Sequence, residues 1–107
     1  MTDRRATRGS TTGRPVMVLL DLLGQRWTLR ILWELRDGRL TFRALQDRCG
    51  VSPTVLNTRL KDLRAQSVVD LDSDGYGLTV SGRELSAYLL ALDDWAKKWI
   101  AGPAADG

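Results

Sequence analysis

Thr41-Phe42-Arg43-Ala44-Leu45-Gln46-Asp47-Arg48-Cys49-Gly50-Val51-Ser52-Pro53-Thr54-Val55-Leu56-Asn57-Thr58-Arg59-Leu60 reads as a helix, a glycine turn and a second helix opened by a Ser-Pro cap. Phe42, Leu45 and Cys49 fall at i, i+3 and i+7, and Leu56, Leu60 and Leu63 at i, i+4 and i+7, so each helix carries one apolar stripe. Gly50 suits the left-handed conformation that ends the first helix, Ser52 offers an acceptor to an orphan N–H of the second, and Pro53 pre-sets its first φ. Two short helices joined in this way form a helix-turn-helix, a pattern that points to DNA.

Successive helical residues lie about 100° apart, which sets Thr54, Thr58, Lys61 and Ala65 opposite the three leucines, with Asn57 and Arg64 on the flanks. That outward face is small, hydroxylated and basic. In a major groove, Asn and hydroxyl groups meet base edges, Thr methyls meet thymine methyls, and Lys or Arg reach guanine or phosphate. A merely solvated face is the plain alternative; the preceding helix and glycine turn favour the groove.

On the N-terminal side of this unit, Val16, Leu19, Leu20 and Leu23 mark an amphipathic helix that Gly24 ends, and Trp27, Ile31, Leu32 and Leu35 mark another that stops at Asp37-Gly38. On the C-terminal side, the Ser52-capped helix runs to about Gln66. Val68 to Leu71 is a strand, Asp72-Ser73-Asp74-Gly75 a turn, and Tyr76 to Leu78 the returning strand. A last helix is expected from near Ser81, with Ser81 and Glu84 spaced as a capping box and Leu85, Leu89, Leu92, Ala96 and Trp99 along one stripe. The fold class is therefore mainly α with a small β-hairpin, a winged helix-turn-helix. A second line of Tyr88, Leu92, Trp95 and Trp99 makes the apolar band wider than one core contact uses, so a dimer through the terminal helices is expected; completion of a small core is the alternative.

The 107 residues suit one domain and carry a net charge of +3. The charge is uneven: residues 24–64 hold nine basic and four acidic side chains, and residues 65–107 three and seven. Positive charge thus gathers around the reading helices, as phosphate binding requires. Residues 1–13 read as a flexible basic arm, or else as a disordered leader, 14–101 as the folded domain, and 102–107 as a disordered tail. No apolar run approaches the roughly 20 residues of a membrane span, and the Arg-rich start lacks a secretion signal, so a cytoplasmic protein is expected. One cysteine and no histidine leave no disulfide, no recognisable zinc site and no usual general base. With no phosphate-cradling loop either, neither an enzyme nor a cofactor is expected.

Leu20-Asp21-Leu22-Leu23-Gly24-Gln25-Arg26-Trp27-Thr28-Leu29-Arg30-Ile31-Leu32-Trp33-Glu34-Leu35, Phe42 to Leu45, Val51 to Leu63 and Tyr76 to Leu85 resemble, in that order, the HxlR-type winged-helix regulators related to the MarR group. The resemblance implies a bacterial, dimeric transcription factor whose partners are double-stranded DNA and a second copy of itself. It places Ser52, Pro53, Thr54, Asn57, Thr58 and Lys61 on the recognition helix, and sets Arg26, Thr41 and Arg43 near the phosphate backbone. Arg59 is a further DNA-binding candidate, or else a partner for a neighbouring carboxylate.

Two departures stand out. The Cys-Pro pair that many members use for thiol sensing is Arg14-Pro15 here, and Cys49, the single thiol, reads as core. The wing is short, and Asp70, Asp72 and Asp74 would repel phosphate. The alternative function is therefore a winged-helix module for a protein or small molecule with weak DNA affinity. Trp27, Trp33, Trp95 and Trp99 are the candidates to line a pocket for a flat aromatic effector, or else they simply pack.

Overall fold

Pro15 occupies the first turn of α1 (Pro15–Leu23), where its missing N–H is no loss. The helix ends at Gly24, where a Cβ would stand 2.8 Å from the Leu20 carbonyl oxygen. This computed structural model describes residues 14–103, so the expected basic arm and all but the first two residues of the expected tail lie outside the described residues. The corner after α1 turns on Trp27, which adopts φ 78° and caps α2 (Thr28–Glu34) without a side-chain hydrogen bond. Nothing in the sequence pattern announces a bulky residue in that left-handed region.

The central unit follows the local signals closely. Thr41 Oγ1 accepts from the Ala44 amide at the start of α3 (Phe42–Cys49), and Gly50 ends it at φ 66°. Ser52 Oγ accepts from the Val55 amide and Pro53 opens α4 (Pro53–Ala65), which Gln66 caps. Leu56, Leu60 and Leu63 meet Ile31, Leu32, Leu35 and Leu45, all of them at most 2 % exposed. Fully burying one such side chain is worth about 1.5–3 kcal/mol, so this three-helix contact supplies most of the head's cohesion.

Strands β1 (Val69–Asp72) and β2 (Gly75–Leu78) pair antiparallel, Val69 opposite Leu78 and Asp72 opposite Gly75, with Ser73 and Asp74 at the tip. Leu40 extends this sheet by one bridge, exchanging backbone hydrogen bonds of 3.0 and 2.8 Å with Tyr76. The wing is thus sewn to the residue preceding the α3 cap.

The final helix departs from expectation at its start. α5 (Val80–Ala101) is capped by Thr79, whose hydroxyl accepts from the Gly82 amide, and the Ser81–Glu84 box does not form. Thr79 Oγ1 also donates to the Ser67 carbonyl at 2.7 Å, which fixes it at the junction with the wing. Gly82 seats so closely there that a Cβ would lie 2.1 Å from the Val68 carbonyl oxygen. Only the first part of the expected stripe joins the core. Leu85 and Leu89 pack against it, whereas Tyr88, Leu92, Trp95, Trp99 and Ile100 are 59–80 % exposed. Likewise Val16 and Leu20 of α1 face outward, and Val18 is the residue that this helix buries. Among the described residues, no helix is long and apolar enough to cross a membrane.

Candidate nucleic-acid interface

The outward face of α4 is built by its own inward one. Because the three leucines are locked into the head, Ser52, Pro53, Thr54, Asn57, Thr58 and Lys61 are all exposed along the opposite side. Thr58 Oγ1 donates to the Thr54 carbonyl at 3.0 Å, so its proton is already placed and its oxygen keeps its accepting capacity. A hydroxyl in that state offers an acceptor to a base amino group and an apolar surface to a thymine methyl. Thr41 and Arg43 are exposed at the start of α3. Arg26 is exposed as well, its guanidinium 5.3 Å from the centre of the Trp27 ring.

Arg59 stands apart. Its side chain is only 18 % exposed, Nε donates to the Arg26 carbonyl at 2.8 Å, and Asp62 lies 4.0 Å away. The expected alternative of a carboxylate partner is thus present, but the stronger contact is to a backbone oxygen thirty-three residues earlier. Arg59 ties α4 to the corner at Trp27. A second tether runs from Arg30, which pairs with Glu34 at 2.8 Å and donates to the Arg48 carbonyl at the end of α3.

Sequence reasoning did not single out Arg39. This residue reaches over the wing, donating to Asp70 at 2.6 Å and the Gly75 carbonyl at 2.9 Å, with Asp72 at 3.1 Å. The hydrogen bond to Asp70, foremost, holds its guanidinium still more firmly in the charged form. The clue in the sequence was the i, i+2 spacing of Asp70 and Asp72, which puts both on one face of a strand. Lys61 and Arg64 also edge a groove between α4 and β1 that reaches Ser67 and Leu71.

The four tryptophans take different surroundings among the described residues. Trp95 and Trp99 stack with ring centres 5.8 Å apart and line a cavity with Lys98, Gly102 and Pro103. Trp33 instead lies under Arg36, 4.2 Å from its ring centre, and Trp27 under Arg26. Cys49 is buried, and that burial pushes its thiol up, away from the reactive thiolate. No group of three or more metal-ligating side chains occurs among the described residues.

A family model described as HxlR-like helix-turn-helix matches residues 22–103. A helix-turn-helix-type transcriptional regulator of Methanocaldococcus jannaschii is 28 % identical over 78 % of this chain and 83 % of its own. Among solved structures, quinone-bound YodB from B. subtilis is 30 % identical with a TM-score of 0.73, over 78 % of this chain and 96 % of that one. A possible HxlR family transcriptional factor from Thermoplasma volcanium is 28 % identical with a TM-score of 0.71, over 83 % and 87 %.

Proposed function

The chain belongs to the HxlR-like helix-turn-helix family of DNA-binding transcriptional regulators, which are not enzymes, and from that premise we propose that it reads a palindromic operator as a homodimer. The observation that carries the reading is the α4 face: Thr54, Asn57, Thr58 and Lys61 exposed on a helix whose leucines are sealed beneath. Arg43 and Thr41, at the α3 start, sit on phosphate and set the register, Arg26 adds charge at the corner, and base edges are read from α4. Arg59 acts by holding α4 in place, and the protein works in the compartment that holds its DNA, the cytoplasm.

The second copy covers the apolar faces of the terminal helices. Val16, Met17 and Leu20 on α1 and Tyr88, Leu92, Trp95 and Trp99 on α5 are large apolar side chains left exposed, the kind of surface that marks an interaction site. Asp21 Oδ2 on α1 is buried with no hydrogen-bond partner among the described residues, a deficit that a partner donor relieves. A two-fold pair then sets two α4 helices one helical turn apart, about 34–36 Å.

Selection of bound duplexes from a random pool, followed by gel shifts on the selected and a scrambled duplex, tests this. Asn57→Ala or Thr58→Ala is expected to weaken the selected duplex by about 1–3 kcal/mol, and Arg43→Ala to weaken both alike. Equal losses on both duplexes from the α4 changes reject base readout. A small aromatic effector is favoured by one observation, the stacked Trp95–Trp99 pair beside an open cavity. Quenching of tryptophan fluorescence by such a molecule, with release of DNA, supports control by a ligand; quenching by a chain that selects no duplex supports a ligand-binding module instead.

A further inference from the structure

The wing carries three carboxylates and no basic residue between Val69 and Leu78, an odd composition for a blade that faces a polyanion. The register explains how Arg39 reaches it. Asp70 lies opposite Gly77, and Asp72 opposite Gly75, so these four residues share one face of the hairpin while Val69, Leu71, Tyr76 and Leu78 occupy the other. The two glycines leave that face bare on β2, and the Arg39 stem fills the space: a Cβ on Gly77 would come within 2.7 Å of Arg39 Cγ. Gly75 has a second reason to be glycine, with φ at 116° and the Leu40 carbonyl oxygen 2.4 Å from where a Cβ would stand. The Asp72 carboxylate serves twice, meeting Arg39 Nε through one oxygen and accepting from the Asp74 amide at 2.8 Å through the other. One carboxylate therefore shapes the tip and holds the clamp.

We infer that Arg39 is a positioning residue for DNA binding, which lies across the wing and cancels the carboxylate charge that this blade would otherwise turn on the phosphates. The inference rests on the DNA-reading face proposed above. With its guanidinium committed to Asp70, Asp72 and the Gly75 carbonyl, Arg39 acts through the wing rather than by touching phosphate itself. On this face of the wing the native set of Arg39, Asp70 and Asp72 amounts to one net negative charge. Arg39→Gln leaves two, Arg39→Gln with Asp70→Asn and Asp72→Asn leaves none, and Asp70→Asn with Asp72→Asn alone leaves a net positive charge.

Fluorescence anisotropy with the full chain, on the selected and scrambled duplexes at two salt concentrations, reads the consequence. Binding to both duplexes is expected to follow wing charge. Arg39→Gln weakens it about tenfold in low salt and less in high salt, the triple variant regains at least native affinity, and the double Asn variant exceeds it by about threefold. A triple variant as weak as Arg39→Gln would show that wing charge does not set the affinity and overturns the proposal, as does an Arg39→Gln chain that binds like the native one. Should Arg39→Gln unfold, the double Asn variant decides alone, and unchanged or weaker binding overturns the proposal. A native chain that binds the two duplexes equally tightly sinks base readout but leaves the charge order intact, whereas one that binds neither takes both proposals down.

Discussion

α4 and the distal half of α5 are both amphipathic helices with apolar residues at helical spacing, yet one is finished within its own chain and the other is not. Leu56, Leu60 and Leu63 are at most 1 % exposed, while Leu92, Trp95 and Trp99 are 59–67 % exposed. The difference lies in what stands opposite. α4 faces a head already assembled from α2 and α3, whereas α5 runs 22 residues and passes beyond the core after Leu89. An apolar stripe states only that something will cover it, and whether that cover is the same chain is decided by helix length and placement.

The sharpest way to break this contrast is a pair of truncations. Leu60→Ala is expected to lower unfolding stability by about 2–5 kcal/mol whatever the protein concentration, as a deleted core side chain does. Leu92→Ala is expected to leave the isolated chain's stability within about 0.5 kcal/mol, yet to weaken self-association measured by sedimentation equilibrium. Denaturation at two concentrations separates the pair. A Leu92→Ala loss as large and as concentration-independent as that of Leu60→Ala would erase the distinction between the two helices.

At the start of α5 the contrast narrows to a single turn. Thr79→Ala removes the hydroxyl that accepts from Gly82 and donates to the Ser67 carbonyl, and is expected to cost about 1 kcal/mol in chemical denaturation. Ser81→Ala, at an exposed position in the first turn of the helix, should remain within about 0.5 kcal/mol. A reversal of that order would restore the cap that the sequence alone suggests.

The smallest expected effect concerns Cys49. Burial raises its thiol above the ordinary value of 9.0, with Arg30 pulling down and Glu34 pushing up more weakly. A raised value means that folding favours the neutral thiol, so this contribution is complete below the unfolded-chain value and is lost as pH rises through the folded one. Stability measured from pH 8 upward should therefore decline more in the native chain than in Cys49→Ala, and a disulfide reagent should label the native thiol only as fast as the head opens. Rapid labelling near neutral pH would contradict the buried assignment.

What could be read in advance followed from how far apart the interacting groups lie along the chain. Gly50, Ser52 and Pro53 act on amides or torsions within a few residues, so the central unit was legible from letters alone. The outward face of α4 was legible for the same reason, since 100° per residue needs no partner. Arg39 was not: its acceptors lie 31 and 36 residues away, and only the β-register brings them under it. Arg59 was left open between two roles because its strongest partner is a backbone carbonyl, which no side-chain pattern marks. Thr79 prevailed over Ser81 because Gly82 has to lie against the Val68 carbonyl, a constraint imposed by the wing.

The corner at Trp27 carries one more consequence. A ring packed against the core is combined there with a backbone conformation that suits glycine, and the adjoining Arg26 carbonyl is gripped by Arg59 from α4. Such a joint has no cheap second setting, because swinging it means unseating an indole and a guanidinium together. In the proposed pair it would make each subunit one arm of a caliper with a fixed gauge. The stretch of duplex spanned between the two points would then be specified at an elbow that never touches the bases it measures.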